Sequence, residues 1–248
     1  MDKTRVRHHF AAAAHSYDAH AVIQRAVAQR LADAIAARWP TLGEVIEVGC
    51  GTGNLTRALL RTDAAARIVA TDLAPAMLDV CARQLGAEAR GRVRYAVADG
   101  ETLQAPAGAL VASSLAFQWF DDPLAAVRRL HAQGARVAVA TLVDGTFDVW
   151  RQAHARLGLE DGVLPLLDEP AWRAQAQALG AQVTFDTLSQ PFDDPLDFVR
   201  ALKGIGAGTP RPGHRPVPLA RVLRQFPQGL VARYRVAYWL SAPPESAA

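Results

Sequence analysis

Apolar positions along the chain follow two rhythms that take turns. Short runs rich in β-branched and small apolar residues (44–48, 67–71, 93–97, 110–114 and 136–141) show little alternation, which predicts strands buried on both faces. Between them lie helical segments: Asn54 to Leu60, Pro75 to Leu85 and Pro123 to His131. The second opens on a proline, whose missing N–H does no harm in a first turn. Upstream, Val22, Val27, Leu31 and Ile35 recur at three- to five-residue spacing within a predicted helix over 19–39, ended by Pro40. Residues 10–18 read as a second short helix and turn. Strands alternating with helices in this way predict an α/β fold with a mostly parallel, doubly wound sheet.

After Thr141 the pattern changes. Residues 146–180 read as largely helical, punctuated by Pro165 and Pro170, and 183–188 as a strand. A helix is expected over 196–205, a proline-rich loop over 209–216 and a closing strand over 231–239, with a frayed end from Ala242. The chain divides on this reading into a helical segment covering the site (1–40), a ligand-binding core (41–145) and a lobe that binds substrate and completes the sheet (146–248), all within one domain.

The first strand ends in the most informative stretch, Glu47-Val48-Gly49-Cys50-Gly51-Thr52-Gly53. Strand, glycine turn and helix form the nucleotide-binding corner of an open α/β sheet. The spacing is G-x-G-x-G rather than the G-x-G-x-x-G of dinucleotide folds. A carboxylate at Glu47 would repel a pyrophosphate but suits an ammonium group, which S-adenosylmethionine carries beside its sulfonium, without phosphate. Asp72 and Asp99 stand at the ends of the next two predicted strands, where open sheets bind ligands. Asp72 lies 19 positions beyond Gly53, close to the separation at which a carboxylate takes ribose hydroxyls. Leu73 beside it offers an apolar face to a base, and Asp99 can accept from an exocyclic amine.

Composition narrows the classes. Half the residues are hydrophobic and 21% charged, ordinary for a globular chain. No apolar run approaches the ~20 residues of a membrane span, and the first residues lack the apolar core of a secretory signal. Cys50 and Cys81 show neither metal nor disulfide spacing, and read as reduced thiols of a cytoplasmic protein. Charge is uneven: from Leu196 onward eight basic residues face two acidic ones, while the preceding 195 residues carry 19 basic and 22 acidic. Such a lobe suits an acidic partner. Without an aromatic-interleaved basic module or a helix-turn-helix pattern, nucleic acid is not indicated.

The pattern Glu47-x-Gly49-x-Gly51-x-Gly53, Asp72-Leu73-x-Pro75-x-Met77, Asp99 and Ser113-x-Leu115-x-x-Gln118-Trp119 resembles the class I S-adenosylmethionine-dependent methyltransferases. Residues 17–24, Phe117-Gln118-Trp119, Thr141-Leu142-Val143-x-Gly145, and Phe192-Asp193-Asp194-Pro195 leading to Leu202-Lys203-Gly204-Ile205-Gly206-Ala207 are similar, more narrowly, to the malonyl-acyl-carrier-protein O-methyltransferases of biotin synthesis. The resemblance implies a Rossmann-like fold with a C-terminal helical insertion or lid. It also implies S-adenosylmethionine held by Glu47, Gly49, Cys50, Gly51, Gly53, Asp72, Leu73, Met77, Asp99, Gly100 and Ser114. The substrate implied is a malonyl thioester on an acidic acyl carrier protein, or on coenzyme A, methylated at its free carboxylate. That carboxylate is already ionised at neutral pH, so no general base is expected. Lys203 is the preferred cation to hold it, with Arg200 and Arg151 as rivals, and Tyr17 and Gln118 are expected to line the transfer pocket. Departures from the family are Ser113-Ser114-Leu115 in place of Ser-Asn-Leu, and a turn before the fifth strand reduced to Gln133-Gly134. The alternatives are a methyltransferase for another small carboxylic acid or a quinone-like metabolite, and a non-catalytic S-adenosylmethionine-binding regulator.

Overall fold

A computed structural model describes residues 2–242 other than Pro212, so the expected fray beyond Ala242 lies outside the described residues. Seven strands form one sheet: β1 (Glu44–Val48), β2 (Arg67–Asp72), β3 (Val93–Val97), β4 (Leu110–Ser114), β5 (Arg136–Leu142), β6 (Gln182–Phe192) and β7 (Leu230–Leu240). Their order is β3-β2-β1-β4-β5-β7-β6. The first five are mutually parallel, and β7 runs antiparallel between β5 and β6. The strand order reverses between β1 and β4, the place where an open α/β sheet has its crevice.

Successive side chains of a strand point to opposite faces, and the central strands use this to sort two residue types. Val111, Val137 and Val139 pack on one face with α6 (Pro123–Ala132) and α8 (Glu169–Ala178), through Val127, Leu130 and Trp172. Ala112, Ala138 and Ala140 face the other layer, with α3 (Val22–Arg38) and α4 (Asn54–Thr62), through Leu31, Ile35 and Leu59. Small residues there let the helix axes lie close to the sheet. Helix α5 (Pro75–Leu85) joins the same layer through Leu78 and Leu85.

The sequence reading needed correction at the sheet edge and outside the sheet: β3, expected to be buried on both faces, is an edge strand with Arg94, Ala96 and Val97 exposed. The N-terminal helix starts earlier, as α1 (Lys3–Ala13), with Asp2 capping the Arg5 amide at 3.1 Å. The helix expected over 19–39 is divided into α2 (Tyr17–His20) and α3 at Ala21, whose ψ of 39° departs from helical geometry. The stretch expected to be largely helical over 146–180 holds α7 (Asp148–Arg156) and α8 with irregular chain between them. Helix α9 (Pro195–Gly204) is followed by a short α10 (Leu219–Leu223) that the sequence pattern did not signal.

The N-terminal helices are tied to both flanks of the crevice. Thr52 donates to Asp18 at 2.6 Å, and Lys3 pairs with Asp99 and Glu101 at 2.6 and 2.5 Å. On the other side, Ser16 donates to the Gly204 carbonyl at 3.0 Å, and His9 Nδ1 lies 2.5 Å from the Thr209 hydroxyl. Gly206 explains the close fit: its φ is +74°, and a Cβ there would lie 2.9 Å from the Phe10 Cα. Gly206→Ala therefore combines a left-handed strain of roughly 1–2 kcal/mol with displacement of α1. Thermal unfolding should show a Tm lower by about 2–8 °C, and limited proteolysis should show faster cleavage before Val22.

Candidate active site

The crevice at the carboxyl ends of β1, β2 and β4 is an open cleft. Its floor is the turn after β1. A Cβ on Gly49 would sit 2.4 Å from the Ala116 Cβ, so only glycine lets that turn pass beneath the loop after β4. Asp72, at the tip of β2, holds the turn in place: its Oδ2 accepts from the Gly51 amide at 2.9 Å and its Oδ1 from the Ala74 amide at 2.8 Å. Burial raises its carboxyl above the ordinary value, and these amide bonds offset part of that rise. Each oxygen keeps a lone pair for a hydroxyl.

Glu47 is 1% exposed, and its Oε2 accepts from the Thr56 hydroxyl at 2.6 Å. Burial pushes its carboxyl well above the ordinary value, against the opposing effect of that hydrogen bond. A buried carboxylate with one hydroxyl donor is stabilised by a cation brought against it. The cleft therefore fits a ligand carrying an ammonium group and ribose hydroxyls, the chemistry expected of S-adenosylmethionine.

The other sequence-designated residues divide. Gly49, Cys50, Gly51, Leu73, Asp99, Gly100 and Ser114 line the cleft together with Glu47 and Asp72. Gly53 does not: it precedes α4 with a φ of +94° and packs over Cys81. Met77 does not either, because it is buried in a cluster with Ala14, Ala74 and Val80 beneath the N-terminal helices. Asp99 lines the cleft, but its Oδ2 is engaged by Lys3 and its Oδ1 by the Glu101 amide at 3.0 Å. Burial alone would lower the Lys3 ammonium; the hydrogen bonds to Asp99 and Glu101 outweigh it and leave it raised.

A second cleft opens beside the first, and the two share Phe10, Tyr17, Gln24, Leu115 and Trp119. Its walls are largely apolar, built by Phe147, Trp150, Phe198, Val199, Leu202 and Val217 among others. Lys203 and Gln118 line it, Gln118 with its amide committed to the Leu115 carbonyl at 2.6 Å and the Thr141 hydroxyl at 3.1 Å. Arg200 is not among the lining residues: it pairs with Asp197 at 2.8 Å, one turn away on the exposed side of α9. Arg151 likewise turns to Asp144 at 2.5 Å.

Sequence reasoning missed Lys3, Phe10 and Gln24 in the first cleft; they sit on α1 and α3, and only the docking of these separate helices brings them together with Tyr17. It also missed Arg5, which joins Lys203 as a cation lining the second cleft. Leu115, between the clefts, has a φ of +56°, a strained value for a leucine. No residue-type signal marks it, because leucine is not a residue that favours such turns.

Strand order with a reversed β7, the glycine turn over a buried acid, and the second acid at the tip of β2 define a class I S-adenosylmethionine-dependent methyltransferase. A family described as "methyltransferase domain" matches residues 45–137. The chain is 41% identical over 242 residues to the biotin biosynthesis bifunctional protein BioCD of Bordetella avium, covering 92% of this chain and 50% of that longer protein. It is 32% identical to the malonyl-[acyl-carrier protein] O-methyltransferase of Magnetococcus marinus, covering 90% of this chain and 87% of that one, and 30% identical to that of Paenibacillus, covering 83% and 82%. The chain belongs to the malonyl-[acyl-carrier protein] O-methyltransferase family. Among solved structures, the YcgJ protein of Bacillus subtilis shares the fold at a TM-score of 0.58 and 16% identity, covering 86% of this chain and 98% of that one. Among the described residues no helix is long and apolar enough to cross a membrane, and no group of three or more His, Cys, Asp or Glu could hold a metal ion.

An ammonium placed against Glu47 lowers its raised carboxyl, so ligand binding should release a proton at pH values between the ordinary carboxylate range and the raised one. Affinity should therefore rise with pH through that window. Calorimetry at about pH 6, where an ordinary carboxylate is already ionised, in buffers of different ionisation enthalpy, should show proton release on S-adenosylmethionine binding. Glu47→Gln should abolish that release and weaken binding.

Proposed function

We propose that this protein transfers a methyl group from S-adenosylmethionine to the free carboxylate of a malonyl thioester carried by acyl carrier protein, giving the methyl ester that starts the acyl chain of biotin. The observation that carries the reading is the joined pair of clefts. One is built for a cationic adenosyl ligand; the other is long, apolar and supplied with Lys203 and Arg5.

Glu47 and Asp72 would hold the cofactor through its ammonium and ribose groups, and Leu73 would face its base. When bound, the cofactor supplies an electrophilic methyl on a positively charged sulfur. The protein needs to bring a carboxylate in line with that methyl and to keep water out. No base is needed, since the acceptor is already an anion. Tyr17 lies between the clefts, and burial first, then the nearby Asp72 and Asp18, raise its hydroxyl far above the ordinary value. It therefore keeps its proton and can donate a hydrogen bond without competing as a nucleophile. Lys203 and Arg5 would attract and orient the malonyl carboxylate, while the apolar walls take the arm of the thioester. The basic excess from Leu196 onward suits docking of an acidic carrier protein.

Incubation with labelled S-adenosylmethionine and malonyl-loaded carrier protein, malonyl-CoA or free malonate should give methyl ester on a thioester; no ester on any of the three would overturn the reading. Lys203→Ala and Arg5→Ala should each raise KM for the thioester about tenfold, the scale of one charge-assisted hydrogen bond, with S-adenosylmethionine affinity unchanged. Steady-state kinetics at increasing ionic strength should show KM for malonyl-carrier protein rising as the surface charges are screened.

A further inference from the structure

Along the apolar wall of the second cleft stands an imidazole that packing alone does not call for. His154, on α7, is 1% exposed and lines that cleft beside Phe147, Trp150 and Phe198. One edge of its ring is held by its own helix: Nδ1 lies 2.8 Å from the Trp150 carbonyl, and the two rings pack with centroids 4.7 Å apart. A carbonyl oxygen only accepts, so Nδ1 carries the hydrogen there. In the neutral ring the other nitrogen, Nε2, is then an acceptor. Nε2 has no partner among the described residues, yet it is not one of the molecule's sealed, unpartnered polar atoms. The small surface that the ring keeps therefore includes Nε2, and the space it meets is the second cleft.

The other polar side chains along this cleft are largely engaged. Gln118 bonds at both ends of its amide, Thr146 donates to the Val143 carbonyl at 2.8 Å, and Asp161 Oδ1 accepts from the Val163 amide at 2.7 Å. Lys203 and Arg5 can only donate, and they suit a carboxylate. An acceptor in an apolar wall suits the opposite partner, a neutral N–H. His154 lines the second cleft and not the first, so that N–H belongs to what fills the second cleft rather than to the cofactor. A malonyl group on carrier protein or on coenzyme A hangs from the same pantetheine arm, whose two secondary amides each carry an N–H. Cations and a neutral acceptor in one apolar cleft match a carboxylate followed by such an arm. Free malonate, ionised at both ends, has no donor to offer.

We propose that His154 is a specificity-determining residue of the second cleft: its Nε2 accepts a hydrogen bond from an amide N–H of the pantetheine arm, so that malonate is taken on the arm rather than as the free acid. This rests on the malonyl-thioester reading above.

The test is steady-state kinetics with malonyl-pantetheine and with an analogue in which ester oxygens replace both amide N–H groups. Wild type should show a KM about two- to tenfold higher for the ester analogue, the scale of one neutral hydrogen bond. His154→Phe, with His154→Met as a second apolar variant, should raise KM for malonyl-pantetheine to that of the analogue. Both should leave KM for the analogue within error and kcat unchanged. His154→Gln, which keeps an acceptor at comparable reach, should retain the preference. Equal rises for both substrates in the apolar variants would mean a structural role and overturn the proposal. A wild type without the preference, or apolar variants that keep it, would overturn it too. If wild type methylates neither these thioesters nor malonyl-carrier protein, the thioester reading falls first and the proposal with it.

Discussion

The site depends on one carboxylate holding two pieces of backbone. Asp72 accepts from the Gly51 amide on the turn after β1 and from the Ala74 amide at the start of α5. Those two bonds, with the Cys50 amide donating to the Thr71 carbonyl at 2.9 Å, bind the glycine turn to the tip of β2. The turn can then pass under Ala116 only because Gly49 has no side chain. Glu47 is enclosed beneath this assembly, and its raised carboxyl follows from that enclosure. Loosening Asp72 would move the cleft floor, the acid under it and the start of α4 together.

A second constraint closes the site from above. Helices α1 and α2 lie between the core and the loop after α9, held by Lys3 and Asp18 on one side and by His9 and Ser16 on the other. The glycines of the Leu-Lys-Gly-Ile-Gly-Ala run have a packing reason. A side chain at Gly204 would meet the His20 ring at 2.2 Å, and one at Gly206 the backbone at Phe10. The run that carried the narrower family resemblance is therefore where the N-terminal helices seat. The same seating brings Tyr17 and Lys203 to one cleft although 186 positions separate them in the chain (203 − 17).

The strand order reverses between β1 and β4, and Leu115, with a φ of +56° just after β4, lines both clefts there. Local strain at a functional passage is offset by the surrounding packing, here β4 and β5, which are buried except at their ends.

What the sequence by itself determined is the strand–helix alternation, the two-faced burial of the central strands, the glycine turn and the acids at the strand tips. Each rests on neighbours close in the chain: a period of two or of three to four, a missing Cβ, a carboxylate where a strand stops. Only the tertiary structure decided which side chains meet. It turned Arg200 to Asp197 and Met77 into a core, placed Lys3 on Asp99, and brought Arg5, Phe10 and Gln24 to the clefts. These outcomes depend on how separate helices rotate and dock, and on space left between them, which no spacing within a single element encodes.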